Sequence, residues 1–410
     1  MDSSERKIYI IGAGISGLVA ARTLEARGFS PIILEGTDSP GGRVKTDEVD
    51  GVLFDRGFQV LLTAYPEAQK HLNFQELDLY RFSPGALIFA QGTMQRVGDP
   101  VRDASTLWAT LLASIGSIGD KWKIYRLSSA LKKKPLPEIF RAEEQSTHAY
   151  LKALGFSDRI IRAFFKPFFT GIFLEEELRT SSRMFEFTFK MFSEGYAAIP
   201  ASGIGTISKT LADSLERTTI HYNRRVRKVS SDTIVMEGGE VLQTDATLVT
   251  VPMDPKTGEL TTRVLSWKRC DNLYFAVTDR TFPEGIIGLV ADEASLVNNL
   301  YYPFGQYSEE DPVLSVTVVK DHALDQDTLV ERIGKELSDF CGITPRRCLK
   351  HYSIQQALPD LADVCMEHTN FLSPSLENVY MAGDYLLNAS LNAAMASGEA
   401  AANAMADKLG

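Results

Sequence analysis

The sequence predicts an α/β fold in which a parallel-sheet domain is assembled from discontinuous segments, with an α+β domain inserted between them. Three observations predict it. A glycine-rich strand-turn-helix, Gly12-Ala13-Gly14-Ile15-Ser16-Gly17, stands near the start. A second apolar strand and turn, Val379-Tyr380-Met381-Ala382-Gly383-Asp384, leads into a small-residue helix, Ser390 to Leu409, near the end. Between them the chain changes character twice, from a largely helical pattern to short β-rich runs.

The first element is the apolar run Ile8-Tyr9-Ile10-Ile11, read as a buried strand, followed by a helix from about Leu18 to Arg27 that Gly28 ends. Each glycine of the turn has its own task. Gly12 allows the tight strand-to-helix turn, Gly14 lets backbone approach a pyrophosphate, and Gly17 lets the helix pack on the strand. The helix amino end, with Ile15 and Ser16, then meets the anion. Glu35 closes the next apolar run, Pro31-Ile32-Ile33-Leu34, with Gly36 beside it. At about 20 residues beyond the motif, its carboxylate can accept ribose hydroxyls. This much serves NAD or FAD. Ser39-Pro40-Gly41-Gly42-Arg43 separates them, because two glycines expose backbone donors and an arginine adds fixed positive charge beside the phosphates. That second clamp points to FAD.

Through these motifs the chain resembles the FAD-dependent amine oxidase superfamily, which includes monoamine and polyamine oxidases, protoporphyrinogen oxidases, phytoene desaturases and carotenoid isomerases. Further stretches carry the resemblance: Phe54-Asp55-Arg56-Gly57-Phe58-Gln59, the turn Ile199-Pro200-Ala201-Ser202-Gly203-Ile204-Gly205, the strands around Val226 and Val249 to Pro252, and Ala357-Leu358-Pro359. It spans nearly the whole chain. It implies an FAD-binding Rossmann-like domain in which Gly57 and Phe58 border the cofactor and Val226 contacts the adenine through its backbone. It further implies that Gly383 and Asp384 meet the diphosphate and ribityl chain, with Leu391, Asn392 and Ala393 beside the flavin pyrimidine. The last placement is physically apt, since a helix amino terminus offers free donors and partial positive charge where reduced flavin is negative. Two departures matter. Cys365 is the one cysteine near the final motif and lies well before Gly383, so the flavin is expected to be noncovalent. Ser202 stands where relatives often carry glycine, and Lys320, after a valine run, reads as a strand end rather than a residue that holds water at the flavin.

Composition bounds the rest. At 410 residues and 44% apolar content the chain can bury a large core and divide into two or three domains. The segments 1-76, 196-264 and 345-410 are expected to form the FAD-binding domain, and 77-195 (mostly helical) and 265-344 (β-rich) the substrate-binding domain. The net charge of −10, without an arginine-rich stripe, argues against a nucleic-acid partner. Cys270, Cys341, Cys348 and Cys365 form no C-x-x-C pair and the six histidines no H-E-x-x-H, so neither a metal site nor a disulfide framework is indicated. A polar amino end and the lack of a long apolar run lead to the expectation of a cytoplasmic protein.

Two segments speak to the substrate. Leu107, Leu111, Ile115, Ile118, Trp122 and Tyr125 recur at helical spacing ahead of Lys132-Lys133-Lys134. They fit either a helix packed over the substrate cleft or a peripheral contact with an anionic membrane. Phe164-Phe165-Lys166-Pro167-Phe168-Phe169-Thr170-Gly171-Ile172-Phe173, with Phe185, Phe187, Phe189 and Phe192, is either core packing or the wall of a large apolar pocket. The resulting expectation is an FAD-dependent dehydrogenase or desaturase that takes hydride from a bulky hydrophobic small molecule and passes electrons to oxygen or another acceptor. An amine oxidase cleaving a C–N bond and an isomerase without net redox change are the alternatives. Tyr352, Tyr385 and Lys166 are candidates for catalytic contacts, each of which packing alone could explain.

Overall fold

Five strands that are far apart in sequence meet in one parallel sheet, in the order Thr219–His221, Ile32–Leu34, Ile8–Ile11, Ala246–Val249 and Val379–Met381. The computed structural model describes residues 6–90, 92–98, 116–368 and 370–410. The central strands are apolar on both faces, as a sheet covered by helices requires: Ile8, Ile10, Leu248 and Val379 are all buried. Helix Ile15–Ala26 packs on this sheet through Leu18, Val19, Ala21 and Leu24. Helix Leu391–Leu409 lies against that helix, and the small residues along it explain how closely. A Cβ on Gly398 would stand 2.3 Å from the Ser16 carbonyl oxygen, so only glycine fits the crossing.

The second large sheet has the order Pro345–Pro359, Trp267–Val277, Asp311–Val318, Val297–Tyr301, Ile287–Val290, Gly85–Ala90 and Thr93–Gly98, with Tyr307–Ser308 paired to its third strand. Strict alternation gives it two unlike faces. Leu273, Phe275, Leu300, Leu314, Val316 and Val318 pack beneath helix Gln326–Cys341, which contributes Leu329, Ile333 and Leu337. Cys270, Leu289, Asn299, Thr317 and Tyr352 point the other way, into a cavity.

Two expected boundaries are corrected. Strand Pro345–Pro359, expected in the cofactor domain, pairs along its length with Trp267–Val277 in the inserted sheet. The segment 77-195, expected to be mostly helical, opens with strands: Leu79–Arg81 pairs with Ala197–Pro200, and Gly85–Ala90 joins the large sheet parallel to Ile287–Val290. Gly-Ala-Leu-Ile-Phe-Ala is a short apolar run, which periodicity alone cannot assign.

The helical part starts, within the described residues, at Ile118–Lys133, capped by a reciprocal box between Ser117 and Asp120. It continues to Lys166–Phe173 and Ser182–Glu194. A π-helical turn, Ile161–Phe165, precedes Lys166–Phe173, where Pro167 offers no backbone donor. No helix among the described residues is long and apolar enough to cross a membrane.

Candidate functional site

Between the two sheets runs a cavity of about 1410 Å³. That exceeds the roughly 300–1,000 Å³ of a pocket for one small ligand, so it has room for a cofactor and a substrate together.

One end of it is built from the glycine motif. Gly12 holds φ +101°, a conformation in which a side chain would be strained, and its Cβ would meet Thr250 Oγ1 at 2.9 Å. Gly14 faces open space in the cavity, whereas a Cβ on Gly17 would lie 2.1 Å from the Gly12 carbonyl oxygen. Gly12, Gly14, Ile15 and Ser16 therefore line the cavity, and Gly17 serves the packing behind them. Glu35 is buried beside them; its carboxylate accepts from the Ala13 N–H at 2.7 Å and from the Thr37 N–H and hydroxyl at 2.9 and 2.7 Å. Gly36 and Val226 complete this end. The fit to an adenosine and its diphosphate rests on this chemistry: a carboxylate, a bare helix amino end and a cradle that a side chain on Gly14 would fill.

Further along, Gly41 and Gly42 lie against the motif, Gly41 at φ +122° with its N–H donating to the Ala13 carbonyl at 2.8 Å. Arg43 reaches across the cavity to Asp384, 341 residues away, and stacks over Trp267 with its guanidinium 5.6 Å from the ring centre. Gly383 stands at φ +151°, and the Tyr385 ring occupies the place where a Cβ would be. Its N–H donates to Ser397 Oγ at 3.0 Å. Gly57 and Phe58 form the facing wall. At the start of the last helix, Leu391 lines the cavity, with Ser390 and Ala394. Asn392 and Ala393 do not. The Asn392 side chain accepts from the Glu67 N–H at 3.0 Å, and the Ala393 N–H is taken up by the Ser390 cap, also at 3.0 Å.

Behind Gly57, Asp55 joins two turns. It accepts from Thr46 Oγ1 at 2.6 Å and from the Ile204 N–H at 2.9 Å, and Gly203, at φ +85°, fits against it only without a side chain. Burial pushes the Asp55 carboxyl up to about 6, against those two hydrogen bonds.

The catalytic candidates fare differently. Tyr352 lines the cavity, but its hydroxyl donates to Asp47 at 2.7 Å, and Asp47 is gripped by both arms of Arg56 at 2.8 and 2.9 Å. Burial, then Asp47, raises the Tyr352 pKa, so it is a strut and not a base. Tyr385 reaches the Val251 carbonyl at 3.4 Å, and burial likewise weakens it as an acid. Lys166 is not among the residues lining the cavity. Lys320 donates to the Glu293 and Ser295 carbonyls and ties down a strand end.

The substrate-side wall divides the phenylalanines. Phe165, Phe169 and Phe185 are wholly buried and pack on one another, and Phe187 is buried against Tyr65 and Phe140, while Phe168, Phe173 and Phe192 line the cavity with Ile172, Met184 and Leu62. Lys268, Asn299, Thr317, Tyr65 and Thr188, which sequence reasoning missed, also face it. No local motif marks them, since each is aimed by pairing or packing with distant chain. Cys270 is present too, its thiol pushed up to about 12 by burial and then by Asp271, and so it remains protonated. Cys365 sits against the Leu386 and Leu387 carbonyls and is not part of the lining.

Among the described residues one cluster has metal-like spacing, Glu67, His71 and Glu399. Arg22 lies 2.6 Å from His71 Nδ1 and Lys70 pairs with Glu399, so the cluster is already neutralised by cations.

Comparison with known proteins agrees with the geometry. The sequence profile of the family described as flavin containing amine oxidoreductase matches residues 15–406. Over 168 residues the chain is 24% identical to protoporphyrinogen oxidase 2, chloroplastic/mitochondrial, of Arabidopsis thaliana, covering 41% of this chain and 32% of that one. Matches to curated relatives are short, from 5% to 32% of their lengths. A putrescine oxidase double mutant superposes with a TM-score of 0.71 at 18% identity, over 98% of each chain. The fatty acid isomerase of P. acnes that produces CLA superposes with a TM-score of 0.69 at 15% identity, over 99% of this chain and 98% of that one. At such identities the likeness is one of fold.

Proposed function

The chain belongs to the flavin-containing amine oxidoreductase family, and we propose that within it the protein is an FAD-dependent oxidoreductase that removes hydride from a bulky apolar substrate. The carrying observation is the charge of the cavity. Each carboxylate lining it already has a partner: Glu35 with Ala13 and Thr37, Asp47 with Arg56 and Tyr352, Glu237 with Arg225 and Asp384 with Arg43. The substrate half offers Phe168, Phe173, Phe192, Ile172 and Met184, with no carboxylate among the described residues to balance an ammonium. Burying an alkylammonium there would be costly. FAD, when bound, supplies the hydride acceptor.

The protein's own residues supply position and exclusion of water. The aromatic wall holds a C–H bond in place and keeps water from it, and the amino end of helix Leu391–Leu409, capped by Ser390, presents positive potential at the cofactor. Neither Tyr352 nor Tyr385 is free to act as a base, which favours departure of the proton, after the hydride, to water in the polar part of the cavity beside Lys268, Asn299 and Thr317. Product analysis tests the reading. A product lighter by two hydrogens, without released amine, supports it; released ammonia or an aldehyde supports C–N cleavage, and unchanged mass an isomerase.

The described part of the 118–133 helix favours a peripheral membrane contact as a second feature. Ile118, Trp122 and Tyr125 lie on one face and are 75%, 56% and 56% exposed. They do not cover the cleft. Arg126 stacks over Trp122 at 4.7 Å, and Lys132 and Lys133 close the helix, which suits an anionic lipid surface. Lys134 is spent on Glu186, and Leu107, Leu111 and Ile115 lie outside the described residues.

A further inference from the structure

The substrate half of the cavity is not uniformly apolar. Tyr65 is 8% exposed and lines it, and its hydroxyl has no hydrogen-bond partner among the described residues. Thr188, 2% exposed, lines the same cavity and its hydroxyl also lacks a partner there. Neither hydroxyl is among the fully buried unpaired atoms of the described residues, so both open onto the cavity, and a substrate that displaces water from this wall must pair them or leave them unpaired at a cost. Two hydroxyls without a protein partner, both open to one cavity, are therefore available to a ligand.

Their position says which ligand. The Tyr65 ring lies flat on Phe187 of helix Ser182–Glu194, with centroids 5.6 Å apart and planes at 12°. Thr188 is the next residue of that helix, on the stripe Met184, Thr188, Phe192 that faces the cavity. Both hydroxyls thus belong to the helical insertion's side of the cavity. Yet Tyr65 immediately precedes helix Pro66–His71, which is tied through the Glu67 N–H to Asn392 at the start of the last helix. That puts the pair where the substrate wall meets the cofactor end.

We propose that Tyr65 and Thr188 form a polar anchor that takes a neutral oxygen, a carbonyl or hydroxyl, of an otherwise apolar substrate and so fixes which carbon is presented for oxidation. The proposal rests on the reading of an apolar substrate and deepens it. Burial raises the Tyr65 pKa, so its phenol keeps the proton it donates. A neutral partner suits a wall on which the described residues show no free carboxylate.

The test uses the FAD-loaded protein and three probes of equal chain length: methyl decyl ketone, dodecane and dodecylamine, each titrated while the flavin absorption spectrum is followed. The wild type is expected to bind the ketone on the order of tenfold more tightly than dodecane. Tyr65→Phe with Thr188→Val, both near-isosteric, should erase that difference while leaving dodecane binding and the FAD dissociation constant unchanged. A wild type that does not distinguish ketone from alkane overturns the anchor, as does a double variant that still does. Looser FAD binding in the variant with the ketone preference intact assigns the hydroxyls to the flavin and also overturns it. Tightest binding of dodecylamine would instead overturn the apolar-substrate reading itself.

Discussion

Gly14 and Gly17 belong to one motif but answer different constraints, and substitution should separate them. A side chain on Gly14 projects into the cavity and meets nothing of the protein, so Gly14→Val is expected to fold with a near-normal melting temperature and to purify without flavin. A Cβ on Gly17 meets the Gly12 carbonyl, so Gly17→Ala should lose about 1–3 kcal/mol of stability whether or not FAD is supplied. Chemical denaturation and flavin absorbance measured on both variants check the pair. Asp55 gives a prediction in pH. Its carboxyl is held near 6 in the folded protein, above its ordinary value of 3.8, so the folded state binds the extra proton. Its stabilising contribution is complete below pH 3.8 and is lost as pH rises through 6, a change of roughly 3 kcal/mol at most. Asp55→Asn should flatten that part of the stability profile in urea titrations between those two values.

At the scale of elements, what the sequence disclosed depends on how locally it was written. The strand, turn, helix and acid from Ile8 to Glu35 form one contiguous signal and follow in the expected order, although the helix begins at Ile15, three residues before the expected start. The substrate wall was not legible in the same way. Asn299 and Thr317 come side by side only through the pairing of Val297–Tyr301 with Asp311–Val318, and Tyr65 is aimed by stacking on Phe187, 122 positions away. The aromatic run was ambiguous for a related reason: a π-helical turn shifts the helical phase at Ile161–Phe165, so spacing could not tell Phe168, which lines the cavity, from the buried Phe169. The exposed face of the 118–133 helix carries its own prediction. Ile118→Ser with Trp122→Ser should abolish co-sedimentation with anionic vesicles and leave thermal stability within about 0.5 kcal/mol, since neither residue is buried.

For the whole molecule, the cofactor end of the cavity draws on chain from Gly12 to Arg43, from Val226, from Thr250 to Pro252 and from Gly383 to Ala394. The Arg43–Asp384 pair, with Glu67 to Asn392 and Arg27 to Asp407, closes the amino-terminal third onto the last helix. FAD bridging these segments should therefore stabilise the fold as a unit. At a hundredfold excess over its dissociation constant it is expected to add about 2.7 kcal/mol, seen as a rise in melting temperature. Arg43→Ala should shrink that rise by weakening FAD binding. Once loaded, the cavity is expected to let an apolar C–H bond reduce the flavin. The most direct measurement is anaerobic bleaching of the bound flavin on mixing with a carotenoid precursor, a porphyrinogen and a series of amines. Bleaching is expected with one of the two apolar classes and with none of the amines. Bleaching by amines alone would contradict that expectation.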